Sequence, residues 1–262
     1  MDKSTKICRI SLVGAGNVAG HLAAHLAAAG RRVVDIFVRE QSERAAALAQ
    51  SVGARLVVGD YSALSAQVDL LVLAVSDGAI GAVAAQIAAQ EHLRGLLVAH
   101  TSGATPVSVL SAAGCERAAL FYPLQSFTKG AAVDMRRVPF LVSAAGAEDA
   151  AALRDLAALL SDDVQTVSEE QRAHLHLAAV FVNNFSNHLC YWAEQICATQ
   201  ALGWRILRPL LQNTVSKLDT LTPFDAQTGA ARRGDESTLQ RHRRLLEALP
   251  PQAAAIYELL TQ

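Results

Sequence analysis

Short runs of aliphatic and β-branched residues alternate with alanine-rich stretches of helical period from the start of the chain to about residue 167. The runs are Ile7–Val13, Val33–Val38, Arg55–Val58, Leu70–Val75, Leu96–His100, Ala118–Phe121 and Phe140–Ser143. Runs of this length bounded by turn formers read as strands, and strands separated by helical segments read as a parallel sheet with helices on both faces. Leu70–Val75 has no polar position, which predicts a central strand buried on both sides. From about Ser168 the texture changes. Glu169–Ala201 and Leu207–Leu221 carry long helical patterns, a polar segment rich in Gly and Arg follows at Thr228–Asp235, and a last pair of helices closes the chain. The expected fold is α/β: a parallel sheet of dinucleotide-binding type over 1–167, followed by an all-helical C-terminal domain over 168–262.

The first predicted strand runs into Gly14-Ala15-Gly16-Asn17-Val18-Ala19, a G-x-G-x-x-A turn that opens a helix over Val18–Ala29. Gly14 permits the tight turn, Gly16 lets a pyrophosphate approach the backbone, and the small Ala19 lets helix and strand pack closely. The unpaired N–H groups and the positive end of the helix then face the phosphates. An isolated match of this kind is equally a turn that binds nothing. The strand before it, the helix after it and the second strand at the right distance favour the dinucleotide.

The residues after the second strand should choose the cofactor, because a carboxylate there bonds a ribose diol whereas a cation accommodates a 2′-phosphate. That strand ends at Arg39, with Ser42 and Arg44 just beyond, which favours NADP(H). Asp35 lies mid-strand and Glu40 one position past the end, so both are weaker rivals. The bland alternative is that Arg39 and Arg44 are solvated charges at a helix start.

Ligands of open α/β sheets sit outside the carboxyl ends of the strands. The fourth strand ends in Ala74-Val75-Ser76-Asp77, the fifth in His100-Thr101-Ser102-Gly103, and the sixth runs into Tyr122–Phe127, with Gln125 inside it. Ala74, Val75, Ser76 and His100 are expected beside the cofactor, Ser102 and Gln125 beside the substrate. The alternatives are that Ser76 or Asp77 caps the next helix and that Ser102 and Gly103 form a turn.

Composition narrows the classes. With 52% hydrophobic and 18% charged residues the chain can bury a large core, and a net charge of −1 gives no bulk attraction for nucleic acid or anionic membrane. No run approaches about 18 apolar residues, so no membrane span is expected. Met1–Lys6 with the short apolar run after it does not read as a leader. Cys8, Cys115, Cys190 and Cys197 show no CxxC spacing, which suits a reducing, cytoplasmic compartment. His21/His25 and His174/His176 lack a carboxylate–histidine set such as HExxH, and no metal is expected.

Three further segments are specific: His100–Ala104 with Phe121–Phe127, His176–Phe185, and Thr228–Asp235 with Thr238 and His242. On these the chain resembles the Rossmann-like and DUF2520 proteins, within the superfamily of pyrroline-5-carboxylate reductase, 3-hydroxyisobutyrate dehydrogenase and 6-phosphogluconate dehydrogenase, which includes proteins named as coenzyme F420-dependent NADP oxidoreductases. The resemblance covers nearly the whole length. It implies a Rossmann domain binding NADP(H), and a helical domain that serves dimerisation and the substrate, hence a homodimer. It names no substrate.

The residues themselves place His176 and Asn183 two helical turns apart on nearly one face, with Asn184 beside them and Asn187 continuing the row. An imidazole and three amides on an apolar helix are costly to bury unbonded. Asn183 and Asn187 read equally as inter-helix bonds and as site groups, whereas His176 and Asn184 match the motif. The dehydrogenases carry a lysine four residues before the helix asparagine, and here that position is Val180. Their lysine mechanism is therefore not transferable. Thr228, Arg232 and Asp235 are expected on a loop over the substrate, although Ala230 stands where relatives often have proline, and Asp235 also suits a helix start.

The sequence thus predicts an NADP(H)-dependent oxidoreductase acting on an imine, ketone or hydroxy acid, with Gly14, Ala15, Gly16, Asn17 and Val18 at the pyrophosphate, Arg39 and Ser42 at the 2′-phosphate, and His176 as proton donor. The alternative is a dimeric NADP(H)-binding sensor without hydride chemistry. A Rossmann fold for S-adenosylmethionine or F420 fits the glycine turn and the arginine less well.

Overall fold

The computed structural model describes residues 6–261, so most of the opening segment read above for a leader lies outside the described residues. The chain forms two compact units that divide between Val180 and Phe181. The division falls later than the change of sequence texture near 168, because the helix starting at Glu169 is bonded to the sheet-bearing unit through Arg172 and His176.

The first unit carries β1 Arg9–Val13, β2 Arg32–Val38, β3 Arg55–Val58, β4 Leu70–Leu73, β5 Leu97–His100, β6 Arg117–Pro123, β7 Phe140–Ala144 and β8 Val164–Thr166. They make one sheet in the order β3-β2-β1-β4-β5-β6-β7-β8. The chain steps outward from β1 to β3 and then crosses back to place β4 on the other side of β1, so the strand order reverses between β1 and β4. Strands β1 to β6 are parallel, β7 is antiparallel to β6, and β8 is parallel to β7. An antiparallel neighbour needs no helical crossover, and the 124–139 connection before β7 holds only one 3-10 turn, Met135–Arg137.

The helices of this unit are α1 Asn17–Ala28, α2 Glu43–Ser51, α3 Ile80–Ala88, α4 Ser108–Ala112, α5 Ala147–Ala158 and α6 Glu169–Ala179. All four residues of β4 are buried, as its unbroken apolar run predicts. Their side chains alternate between two cores. Leu70 and Val72 join Leu22 and Leu26 of α1 and Leu153 and Leu156 of α5, while Leu71 and Leu73 join Ile80, Ala84 and Ile87 of α3. Each fully buried leucine or isoleucine contributes about 1.5–3 kcal/mol of transfer free energy, so the two-faced burial of β4 and β5 is what holds the strand ends in place.

Asp35 is buried in β2, and its carboxylate accepts hydrogen bonds from Ser11 Oγ at 3.1 Å, Arg55 Nε at 2.8 Å and the Ser65 N–H at 2.9 Å. It ties β1, β2 and β3 together and has no free oxygen to offer a ribose.

At the start of the second unit a π-helical stretch, Val180–Phe185, whose first residue belongs to the first unit, precedes α7 Ser186–Ala198, so the long helical pattern from Glu169 is interrupted by one wider turn that carries Asn183 and Asn184. A 3-10 turn, Trp204–Leu207, leads into α8 Arg208–Lys217, followed by α9 Pro223–Ala226, α10 Ala230–Arg233, α11 Glu236–Leu246 and α12 Pro251–Leu260. Arg243 binds Glu236 and Glu258, each at 2.8 Å, and so fastens α11 to α12. Among the described residues no helix is long and apolar enough to cross a membrane.

Candidate functional site

The glycine turn lies at the strand-order reversal. Gly14 has φ +115°, a conformation that L side chains rarely adopt, and a Cβ there would run into the Ala74 carbonyl of the neighbouring strand. Its N–H donates to the Phe37 carbonyl at 2.8 Å, so the turn is bonded to β2 and pressed against β4. Gly16 is the N-cap of α1 and supplies no side-chain cap; a Cβ on it would meet nothing within 4 Å. The first turn of α1 therefore presents its N–H groups and positive end to open space.

That space is a cleft of about 880 Å³, within the range of cofactor sites. Its lining includes Gly14, Ala15 and Gly16 of the turn, Ala74, Val75 and Ser76 after β4, and Phe37, Arg39 and Tyr61. The rings of Phe37 and Tyr61 stack at 4.1 Å, Phe37 being buried in the core. Burial raises the Tyr61 pKa while the nearby Arg39 charge opposes the rise. Ser76 precedes a 3-10 turn, Asp77–Ala79, and makes no side-chain cap, so its hydroxyl is left for the cleft.

The side chains of Asn17 and Val18 are engaged elsewhere. The Asn17 carboxamide donates to the Phe127 carbonyl at 2.9 Å and accepts from Arg44 at 2.7 Å, which straps α1 to the 124–139 connection and to α2. Val18 packs against the core. The Ser42 hydroxyl accepts from the Ala45 N–H at 3.2 Å as the N-cap of α2. Of the two candidate cations, Arg44 is thus engaged by Asn17 and Arg39 is the one on the cleft.

A second cluster forms at the ends of β5 and β6. His100, expected beside the nicotinamide, has no accessible surface, and its Nδ1 accepts the Ser102 N–H at 3.2 Å. Burial first, and then the Arg172 charge, lower its pKa to about 4, so it is neutral at physiological pH with the proton on Nε2. The Pro106 carbonyl is close enough to favour the charged form slightly, yet among the described residues Nε2 has no partner in hydrogen-bond geometry. The Ser102 hydroxyl donates to Thr105 Oγ1 at 3.1 Å and accepts from the N–H groups of Ala104 and Thr105, which is the turn reading. Gln125 accepts the Ser126 N–H at 2.8 Å and lines a separate hollow along the 125–137 segment.

His176 on α6 meets Tyr122 at the end of β6, with Nδ1 and the phenol oxygen 3.2 Å apart. Gly103 leaves them room: a Cβ there would strike His176 Nδ1 and approach the Tyr122 oxygen to 2.7 Å. Arg172, one helical turn before His176, is 3% exposed; it donates to the Gly103 carbonyl and pairs with Glu169 at 3.2 Å. Its Nε has no partner among the described residues. Burial, then the Asp77 charge, raise the Tyr122 pKa, with Arg172 opposing. Neither Tyr122 nor Arg172 is among the sequence-derived candidates. The signals were available: Tyr122 lies inside the quoted Phe121–Phe127 segment, two residues past Leu120, which pairs with His100, and Arg172 is at i−4 from His176.

Asn184, Thr228, Arg232 and Asp235 belong to the helical unit. Asn184 sits in the π turn. Thr228–Asp235, expected as a loop, forms the short α10 between Gly229 and Gly234. Arg232 donates to the Phe224 carbonyl, with its guanidinium 5.0 Å from the Phe224 ring centre. The Asp235 carboxylate caps α11 through the Thr238 N–H at 3.1 Å and also accepts from the Ser237 and Thr238 hydroxyls.

Residues 9–103 match the family described as NADP oxidoreductase, coenzyme F420-dependent, and residues 138–262 match DUF2520, a domain of unknown function. No curated protein matches the chain. Among solved structures, BF3122 from Bacteroides fragilis, named as a proposed NADP oxidoreductase, is 34% identical over 99% of this chain and 98% of its own, with a TM-score of 0.87. A reductive aminase from Aspergillus terreus, solved with NADPH and ethyl-5-oxohexanoate, is 19% identical over 98% of this chain and 93% of its own, with a TM-score of 0.70. An imine reductase from Myxococcus stipitatus, solved as a variant with NAD+, is 18% identical over 97% and 92%, with a TM-score of 0.62. The latter two share the fold.

Proposed function

The chain belongs to the family that joins a coenzyme F420-dependent NADP oxidoreductase domain to a DUF2520 domain, and on that premise we propose that it is an NADP(H)-dependent oxidoreductase acting on a small polar imine, ketone or hydroxy acid. The observation that carries this reading is the uncapped start of α1 at the strand-order reversal, beside a cleft whose lining includes Arg39.

The residues present fit a dinucleotide. Gly14 and Gly16 leave the backbone open where a pyrophosphate would lie against the α1 N–H groups. Arg39 would hold the 2′-phosphate, a charge-assisted contact that NADH lacks. Ser76 would face the nicotinamide, which supplies or takes up a hydride when bound. The Asn17, Val18 and Ser42 side chains support the turn and α2, so that Asn17 and Val18 would meet the pyrophosphate through their backbone N–H groups. His100 acts in the same indirect way: its neutral ring fixes the Ser102–Thr105 turn that sets Gly103 beside His176.

His176 would supply the proton that balances hydride transfer to a C=N or C=O carbon. Asn184 and the α10 region, with Thr228 and Arg232, are proposed to serve the substrate, and the helical unit to pair two copies. The reading is tested by following NADPH oxidation against a panel of imines and ketones with the wild type and His176→Ala. The expected result is turnover by the wild type, a loss of about 10²–10⁴-fold in the variant, and unchanged NADPH affinity. Nucleotide binding with no oxidation of any compound would favour the sensor reading, which Val180 at the lysine position motivates.

A further inference from the structure

His176 does not stand alone. The Tyr122 hydroxyl is 3.2 Å from its Nδ1, and the two rings meet edge to face with centres 6.2 Å apart. Among the described residues the phenol oxygen and His176 Nδ1 are each other's hydrogen-bond partner; when the phenol donates to Nδ1, the imidazole carries its own proton on Nε2. The contact is enforced from the β5 side, where Gly103 is the residue that lets both side chains in and the buried Arg172 holds its carbonyl. The charged and titratable groups around Tyr122 are His176, Asp77 and Arg172, the last paired with Glu169; His100 is buried and neutral behind them.

We propose that Tyr122 is the catalytic acid of this site and that His176 is its proton reservoir. The inference rests on the oxidoreductase reading and deepens it by naming the group that meets the substrate. In the reducing direction the substrate carbon gains the hydride of the reduced nicotinamide cofactor, and its C=O or C=N π pair moves to the heteroatom. That atom takes the Tyr122 hydroxyl proton. As the phenol gives up its proton it receives one from Nδ1 of protonated His176, which is left neutral with the proton on Nε2. The cycle ends with the phenol donating to Nδ1, the arrangement of the resting pair, and solvent recharges His176. Burial and Asp77 oppose a free phenolate at Tyr122, so the two proton movements occur together.

The test uses the full chain, Tyr122→Phe and Gly103→Ala, with two readouts. Imidazole ¹⁵N resonances of the nucleotide-free protein should show His176 Nδ1 as a hydrogen-bonded acceptor in the wild type and as a changed signal in both variants, with the other imidazoles unmoved. Oxidation of NADPH, with ethyl-5-oxohexanoate plus ammonia and with a cyclic imine as probes, should fall at least about 100-fold in Tyr122→Phe, with NADPH affinity retained. An unchanged Nδ1 resonance in both variants overturns the proposal, and so does a Tyr122→Phe enzyme within threefold of the wild type. A wild type that binds no NADPH would instead sink the oxidoreductase reading, and the resonance would still decide whether Tyr122 holds His176.

Discussion

His100 is a histidine at a strand end beside a candidate site, yet burial turns it from a reagent into scaffolding. Its pKa falls from an ordinary 6.5 to about 4, so as pH drops the unfolded chain takes up this proton before the folded one does. Stability is then intact above about pH 6.5, declines as pH falls from about 6.5 towards about 4, and levels off below, by up to about 3 kcal/mol for this one group. Urea denaturation at pH 7.5 and at pH 4.5 should show that loss in the wild type. In His100→Asn, whose amide oxygen can accept the Ser102 N–H without titrating, the pH dependence should be clearly shallower; an equal slope in both would remove His100 from the account. Asp35 shows the same distinction between type and role. It is an acid on the second strand of a dinucleotide fold, but its mid-strand position gives its carboxylate to Ser11, Arg55 and Ser65.

Elements differ in how far their sequence betrays them. The strands β1 to β7 were legible because each is an apolar or alternating run bounded by turn residues, and β4 shows best why: with both faces buried it has no polar position to blur the signal. β8 was not legible, since Val164-Gln165-Thr166 is a three-residue edge strand, mostly exposed, whose pairing with β7 is tertiary. The wider turn at Val180–Phe185 has no compositional mark either, because a π turn differs from α only in which carbonyl is bonded. The Gly14–Gly16 turn, Arg39 and the Ala74–Ser76 segment were legible as neighbours because strand ends converge by topology. The Tyr122–Gly103–Arg172 arrangement around His176 was not, because it depends on how α6 docks on the sheet. The helical unit leaves Phe181, Val182, Ile206, Leu210 and Val215 more than 60% exposed, and apolar surface on that scale marks an interaction face. Sedimentation is expected to give twice the chain mass, and a monomer at micromolar concentration would contradict the proposed pairing through this unit.

At the scale of the whole molecule, the family, the sheet order and the cleft converge on one claim: the chain is an oxidoreductase of the NAD(P)-binding kind, with its cofactor proposed to be NADP(H) read by Arg39. The strand-order reversal makes the crevice, the two-faced core keeps the strand ends rigid around it, and the uncapped α1 start supplies the positive end that phosphates need. The most direct test is calorimetric titration of the wild type and of Arg39→Ala with NADPH and with NADH. The account predicts NADPH binding in preference to NADH, and a loss of about 10-fold or more in NADPH affinity alone when Arg39 is removed, as expected for about 1.4 kcal/mol or more of charge-assisted contact. Binding of neither nucleotide, or equal weakening of both by Arg39→Ala, would contradict it.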